Sequence, residues 1–89
     1  MSLDMPKFVN PSSPAVGQAN FTATDGDVIT SVSVDPAGGT SKSISPGGGQ
    51  STVTGLAPST NYTITITVQT GKQYTFTASV DADGNVTFQ

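Results

Sequence analysis

One run of alternating residues constrains the fold of this chain more than any other feature. From Tyr62 to Val68, apolar side chains occupy every even position and threonines occupy every odd one. Successive side chains of a β-strand point to opposite faces of its sheet, so the run predicts a strand. One face of this strand is expected to be buried and the other to meet water.

The same parity continues to the end of the chain. Residues opposite each other in an antiparallel pair share a face, so each connection here must contain an odd number of residues. We predict three-residue turns at 69–71 and 82–84, with a glycine third in each turn, where the backbone must be left-handed. Ile66 then lies opposite Tyr74. The even-numbered apolar residues that follow are Tyr74, Phe76, Ala78, Val80, Val86 and Phe88.

The composition favours strands throughout. The chain has 89 residues, with fourteen threonines, ten glycines and six prolines, and its glycines and prolines separate short apolar runs. We predict an all-β, antiparallel two-sheet sandwich of about seven strands over residues 19–89. Residues 1–18 form a proline-rich lead-in arm with a possible edge strand around 7–9. The main strands are predicted at 19–24, 28–34, 41–45, 50–54, 61–69, 73–80 and 85–88.

Missing residue types limit the chemistry of the chain. It contains no cysteine, histidine, arginine or glutamate, so the usual nucleophiles, imidazole bases and zinc ligands are absent. We therefore expect no enzymatic activity, no catalytic residues, no cofactor and no metal. A net charge of −3 with three lysines argues against nucleic acid as a partner. No apolar run approaches the length needed for membrane insertion.

The segment Leu56-x-Pro58-x-Thr60-x-Tyr62 resembles the fibronectin type III signature before the sixth strand of that fold. The resemblance implies a tyrosine corner, in which the Tyr62 hydroxyl bonds to the backbone a few residues upstream and Leu56 caps the core. It also implies that 41–45 is the edge neighbour of the third strand. The family's usual tryptophan is missing from the second strand, and a strand at 85–88 is additional, so an immunoglobulin-like relative is the alternative.

The resemblance implies a non-catalytic structural or adhesive module displayed on a larger assembly, most naturally a bacteriophage virion or a bacterial surface or secreted protein. Its location would be extracellular, on a cell surface or on a virion surface, with a protein or a cell-surface glycan as partner. The alternative is a spacer or weak carbohydrate-binding module of a secreted polysaccharide-degrading enzyme. The oligomeric state stays open. Candidate contact residues in loops are Asp25, Gly26, Asp27, Gly38, Gly39, Lys42 and Lys72.

Two further patterns have both a functional and a structural interpretation. The segment 81–85 (Asp-Ala-Asp-Gly-Asn) resembles the start of a calcium loop, but a plain turn explains it as well, because no bidentate glutamate follows. The outward threonines of 62–68 and the following strands resemble an ice-binding array. Threonine is also simply a good residue for the wet face of a twisted sheet. We favour the structural interpretation of both patterns.

Overall fold

The computed structural model describes residues 9–24 and 26–89, which form an all-β structure of eight strands and no helix. Both sheets are antiparallel and four-stranded. The first sheet has the order β1-β2-β5-β4 and the second has the order β3-β6-β7-β8. The strands are β1 Val9–Ser12, β2 Ala19–Ala23, β3 Ile29–Asp35, β4 Ser41–Ile44, β5 Gln50–Thr54, β6 Thr60–Val68, β7 Gln73–Val80 and β8 Val86–Phe88.

An apolar core joins the two sheets. Phe21 of the first sheet is fully buried, and its ring centroid lies 5.1 Å from that of Phe76 and 5.8 Å from that of Phe88 in the second sheet. Ile64 and Ile66 are also fully buried. Most strands thus bury a row of side chains between the two sheets, in a β-sandwich-like arrangement.

The predicted register of the last three strands is confirmed. Ile66 pairs with Tyr74, and Val80 pairs with Val86. Both connections are three-residue turns that end in a left-handed glycine, Gly71 with φ +90° and Gly84 with φ +87°. The backbone N–H of residue 68 donates to the carbonyl of residue 72 across the first turn, at 3.1 Å. The parity of the apolar positions was therefore sufficient to set this register.

The N-terminal edge strand lies slightly later than its predicted position. The sequence placed it around residues 7–9, of which 7 and 8 lie outside the described residues. The structure has β1 at Val9–Ser12, paired with β2 from Val9 opposite Ala23 to Ser12 opposite Asn20. Pro11 is tolerated because β1 is an edge strand and needs hydrogen bonds on one side only. Added to the seven main strands predicted from residue 19 onward, this strand brings the described total to eight.

The expected neighbour of β4 was wrong. The resemblance placed this segment beside β3, whereas the structure pairs it with β5 in the other sheet, Ser41 opposite Thr54. The connection between β4 and β5 closes as a hairpin. The Ser45 N–H donates to the Gln50 carbonyl at 2.8 Å, and the Gly48 N–H donates to the Ser45 carbonyl at 2.9 Å. The connections 36–40 and 45–49 are both five residues long, so it is the closed hairpin at 45–49, and not loop length, that places β4 beside β5.

Candidate functional site

The loops gather at two opposite ends of the fold. At the hairpin end, which we define as residues 26–28, 45–49 and 69–72, three connections bond to one another. The Ile29 N–H donates to the Gly48 carbonyl at 2.7 Å, and the Gln69 N–H donates to the Val28 carbonyl at 2.8 Å. These bonds tie the β2–β3 loop to both neighbouring turns and hold this end together.

The other end, which we call the tyrosine-corner end, comprises residues 13–18, 36–40, 55–59 and 81–85. The Gly17 N–H donates to the Gly84 carbonyl at 2.8 Å, and the Gly17 carbonyl accepts from the Leu56 N–H at 3.0 Å. A side chain at Gly55 would collide with the Gly39 carbonyl oxygen. Four connections therefore meet at this end, and backbone contacts fix their relative positions.

Tyr62 holds the β5–β6 connection at that end. Its hydroxyl oxygen accepts a hydrogen bond from the Ala57 N–H at 2.8 Å, while the residue is only 3% exposed. Leu56 is also buried, and Pro58 is exposed. The Tyr62 hydroxyl thus bonds to the backbone five residues upstream, the kind of bond that the resemblance implied.

The candidate contact residues do not form one surface. Gly26, Asp27 and Lys72 belong to the hairpin end, whereas the pair 38–39 lies at the tyrosine-corner end. Lys42 lies on β4, at the edge of the first sheet. Asp25 lies outside the described residues. A single partner could therefore cover only part of the predicted set at one time.

Two of these residues make specific local interactions. Asp27 is only 5% exposed, and its Oδ1 accepts a hydrogen bond from the Val28 N–H at 3.0 Å. Its carboxylate therefore stabilises the turn and is little accessible to a partner. The Lys72 ammonium lies 5.2 Å from the centre of the Tyr74 ring, a cation–π contact at an exposed position. Lys72 thus keeps its charge available at the hairpin end.

The acidic turn at 81–85 uses its carboxylate internally. Asp81 Oδ1 accepts from the backbone N–H groups of Asn85 and Asp83, both at 2.9 Å. These bonds, that from Asn85 first, lower the pKa of Asp81 below its usual value. Among the described residues no three histidine, cysteine, aspartate or glutamate side chains cluster as metal ligands would. The arrangement supports the turn interpretation of this segment.

The outer face of the second sheet is a neutral hydroxyl surface. Thr65 and Thr75 place their hydroxyl oxygens 3.5 Å apart, and the Ser79 hydroxyl donates to Asn61 at 2.9 Å. The pairing of β3 with β6 adds two serines that the sequence analysis did not include. Asp35 is the one charged residue of this face, whose members are Ser31, Ser33, Asp35, Asn61, Thr63, Thr65, Thr67, Gln73, Thr75, Thr77, Ser79 and Thr87.

A groove separates the open edges of the two sheets. It has a volume of about 360 Å³ and lies between β3 and β4. The Lys42 Nζ crosses it and donates to the Val32 carbonyl oxygen at 2.6 Å. The sequence analysis missed this groove because it exists only when β4 leaves the second sheet. Its lining residues are Thr30, Ser31, Val32, Lys42, Ser43 and Ile44.

The comparisons with known proteins add no relative. Across residues 9–24 and 26–89 there is no helix long and apolar enough to cross a membrane. No family model matches the chain, and no curated protein or solved structure matches it either.

Proposed function

We propose that this chain is a non-catalytic, immunoglobulin-like β-sandwich module that serves a structural or adhesive role on a larger assembly. The strand order carries the fold part of this proposal. Constant-type immunoglobulin domains place strands A, B, E and D in one sheet and C, F and G in the other. The orders β1-β2-β5-β4 and β3-β6-β7 follow that arrangement, with β8 added at one edge. The pairing of β4 with β5 favours the immunoglobulin-like alternative over a strict fibronectin type III module.

The packing around Phe21 supports a sandwich of two packed sheets. A sandwich of this kind usually has a large aromatic residue between its sheets, and this chain has no tryptophan. Phe21 takes the inter-sheet position, and Phe88 from the additional strand packs against it with an interplanar angle of 71°. Phe88 thus adds an aromatic ring beside Phe21 in the core between the sheets.

The functional part of the proposal follows from the surfaces of the fold. The loops are fixed by backbone bonds at both ends, and the outer face of the second sheet is polar and almost uncharged. Such surfaces suit display and contact with a partner. By resemblance, the setting is a virion or a bacterial surface, with a protein or a cell-surface glycan as the partner.

Surface labelling tests the proposed role. Antibodies raised against the folded domain should decorate intact virions or unpermeabilised cells of the source in immunogold electron microscopy. The matched control is pre-immune serum, and a second control applies the same antibodies to lysed material. Labelling that appears only after lysis would contradict display on an outer surface.

A second candidate function uses the neutral hydroxyl face. Its many hydroxyl groups and single charge suit a neutral polysaccharide, as in a weak carbohydrate-binding module. A glycan array would show saturable binding that is lost in Thr65→Lys, at the middle of the face, and kept in Lys72→Ala, at the hairpin end. Absence of saturable binding to any glycan would reject this candidate.

A further inference from the structure

The outer side of β3 is an open sheet edge. Within residues 9–24 and 26–89, this strand pairs with β6 on one side and with no strand on the other. The Val32 carbonyl points away from β6, because it accepts its hydrogen bond from β4. Backbone groups alternate in direction along a strand, so Val34, two residues on, presents its N–H and carbonyl the same way. An edge of this kind is a template for pairing with another chain.

Lys42 occupies this edge from the opposite sheet. Its ammonium bonds to the Val32 carbonyl at 2.6 Å, and its side chain crosses the groove where an added strand would lie. All four residues of β4 are exposed, and Ile44 is 38% exposed at the same groove. A bonded lysine removes an acceptor from the edge and places a charge beside it.

We propose that Lys42 blocks the pairing of β3 with β3 of a second copy of this chain. The outward side chains of the strand fit a copy of themselves. In an antiparallel pair centred on Ser33, each Asp35 lies opposite a Ser31, so no like charges face each other. The two Lys42 ammonium groups would flank the new pair and oppose it. Without them, the second sheets of two copies would join into one continuous sheet.

The first test is the oligomeric state of Lys42→Met, measured by size-exclusion chromatography with light scattering over a concentration series. The wild type should stay monomeric at concentrations where Lys42→Met dimerises, with self-association at least about tenfold tighter in the variant. Lys42→Arg keeps a cation at the groove and should behave as the wild type. Equal self-association of Lys42→Met and the wild type would overturn the proposal.

Lys72→Met is the matched control, because it removes the same charge from an exposed lysine at the hairpin end. If Lys72→Met dimerises as strongly as Lys42→Met, loss of net charge is the cause and the edge proposal is wrong. A circular dichroism spectrum and a melting curve accompany each variant. Because Lys42 is exposed, the substitution should leave the fold intact.

The position of the contact can be tested with single cysteines, since the chain has none of its own. In a pair centred on Ser33, the two Ser33 residues form a non-hydrogen-bonded pair, with Cα atoms about 4.5 Å apart, which a disulfide can bridge. Ser33→Cys in the Lys42→Met background should therefore give an oxidised dimer on a non-reducing gel. Ser43→Cys in the same background reports on β4. Cross-linking at Ser43 and not at Ser33 would overturn the proposal in favour of a β4 contact.

Discussion

The β4–β5 hairpin contains three consecutive glycines. A glycine can be required by its backbone conformation or by the lack of space for a side chain, and these three residues differ in both respects. Gly47 and Gly48 have positive φ angles of +89° and +74°, whereas Gly49 does not lie in the left-handed region. A Cβ atom at Gly48 would overlap the Val28 side chain and lie 2.9 Å from the Ile29 carbonyl oxygen. A Cβ atom at either of the other two glycines would meet nothing within 4 Å.

The structure predicts a different cost for alanine at each position. Alanine in a left-handed conformation costs about 1–2 kcal/mol, while the lost freedom of the unfolded chain returns about 0.4–1 kcal/mol. Gly47→Ala should therefore destabilise by about 1 kcal/mol. Gly48→Ala adds an overlap of about 1–3 kcal/mol, for a total of about 3 kcal/mol. Gly49→Ala should be neutral or stabilising by up to about 1 kcal/mol.

Urea denaturation of the three variants beside the wild type measures these differences directly. In a domain of this size, each kcal/mol also shifts the melting temperature by about 4–8 °C, so thermal melts check the order independently. The difference between Gly48→Ala and Gly47→Ala isolates the contact of the hairpin with the β2–β3 loop. Equal destabilisation by these two variants would refute the packing argument, and a large loss in Gly49→Ala would refute the backbone argument.

Two further predictions concern the tyrosine-corner end. Tyr62→Phe removes the acceptor of the Ala57 N–H and should lower the free energy of unfolding by about 1–3 kcal/mol. The control Thr77→Val, on the exposed outer face, should change this free energy by less than about 0.5 kcal/mol. An unchanged stability of Tyr62→Phe would mean that the hydroxyl bond is unimportant. The backbone N–H of Asn85 is the chief cause that lowers the folded-state pKa of Asp81 below its ordinary value, so its carboxylate stabilises the fold above the unfolded pKa. That stabilisation is lost as the pH falls through the folded-state pKa. Wild type should therefore be more stable than Asp81→Asn at neutral pH and lose this advantage in acid, with Asp83→Asn as the control in the same turn; parallel stability curves across this range would contradict the assignment.

Local patterns were sufficient for the second half of the fold. The register of β6, β7 and β8 follows from the even positions of the apolar residues, since only odd-length turns keep those residues on one face. The motif that ends in Tyr62 likewise specified its own bond, because donor and acceptor lie five residues apart. In both cases the interacting groups are close in the chain, so their pattern contains the information.

Only the tertiary structure decides which sheet contains β4. The groove and the β3 edge depend on that choice. All four residues of β4 are exposed, so no buried row in the sequence indicates which sheet it faces, and the connection from β3 permits either choice. The hairpin to β5 made the choice, which opened the groove and brought Lys42 to the Val32 carbonyl, ten residues away in the chain. The sequence by itself determined the strands from residue 19 onward, the last two turns and the buried face of the last three strands, because these depend on neighbouring residues. The grouping of loops at two ends and the guarded edge of β3 depend on which distant strands pair, which only the packed structure determines.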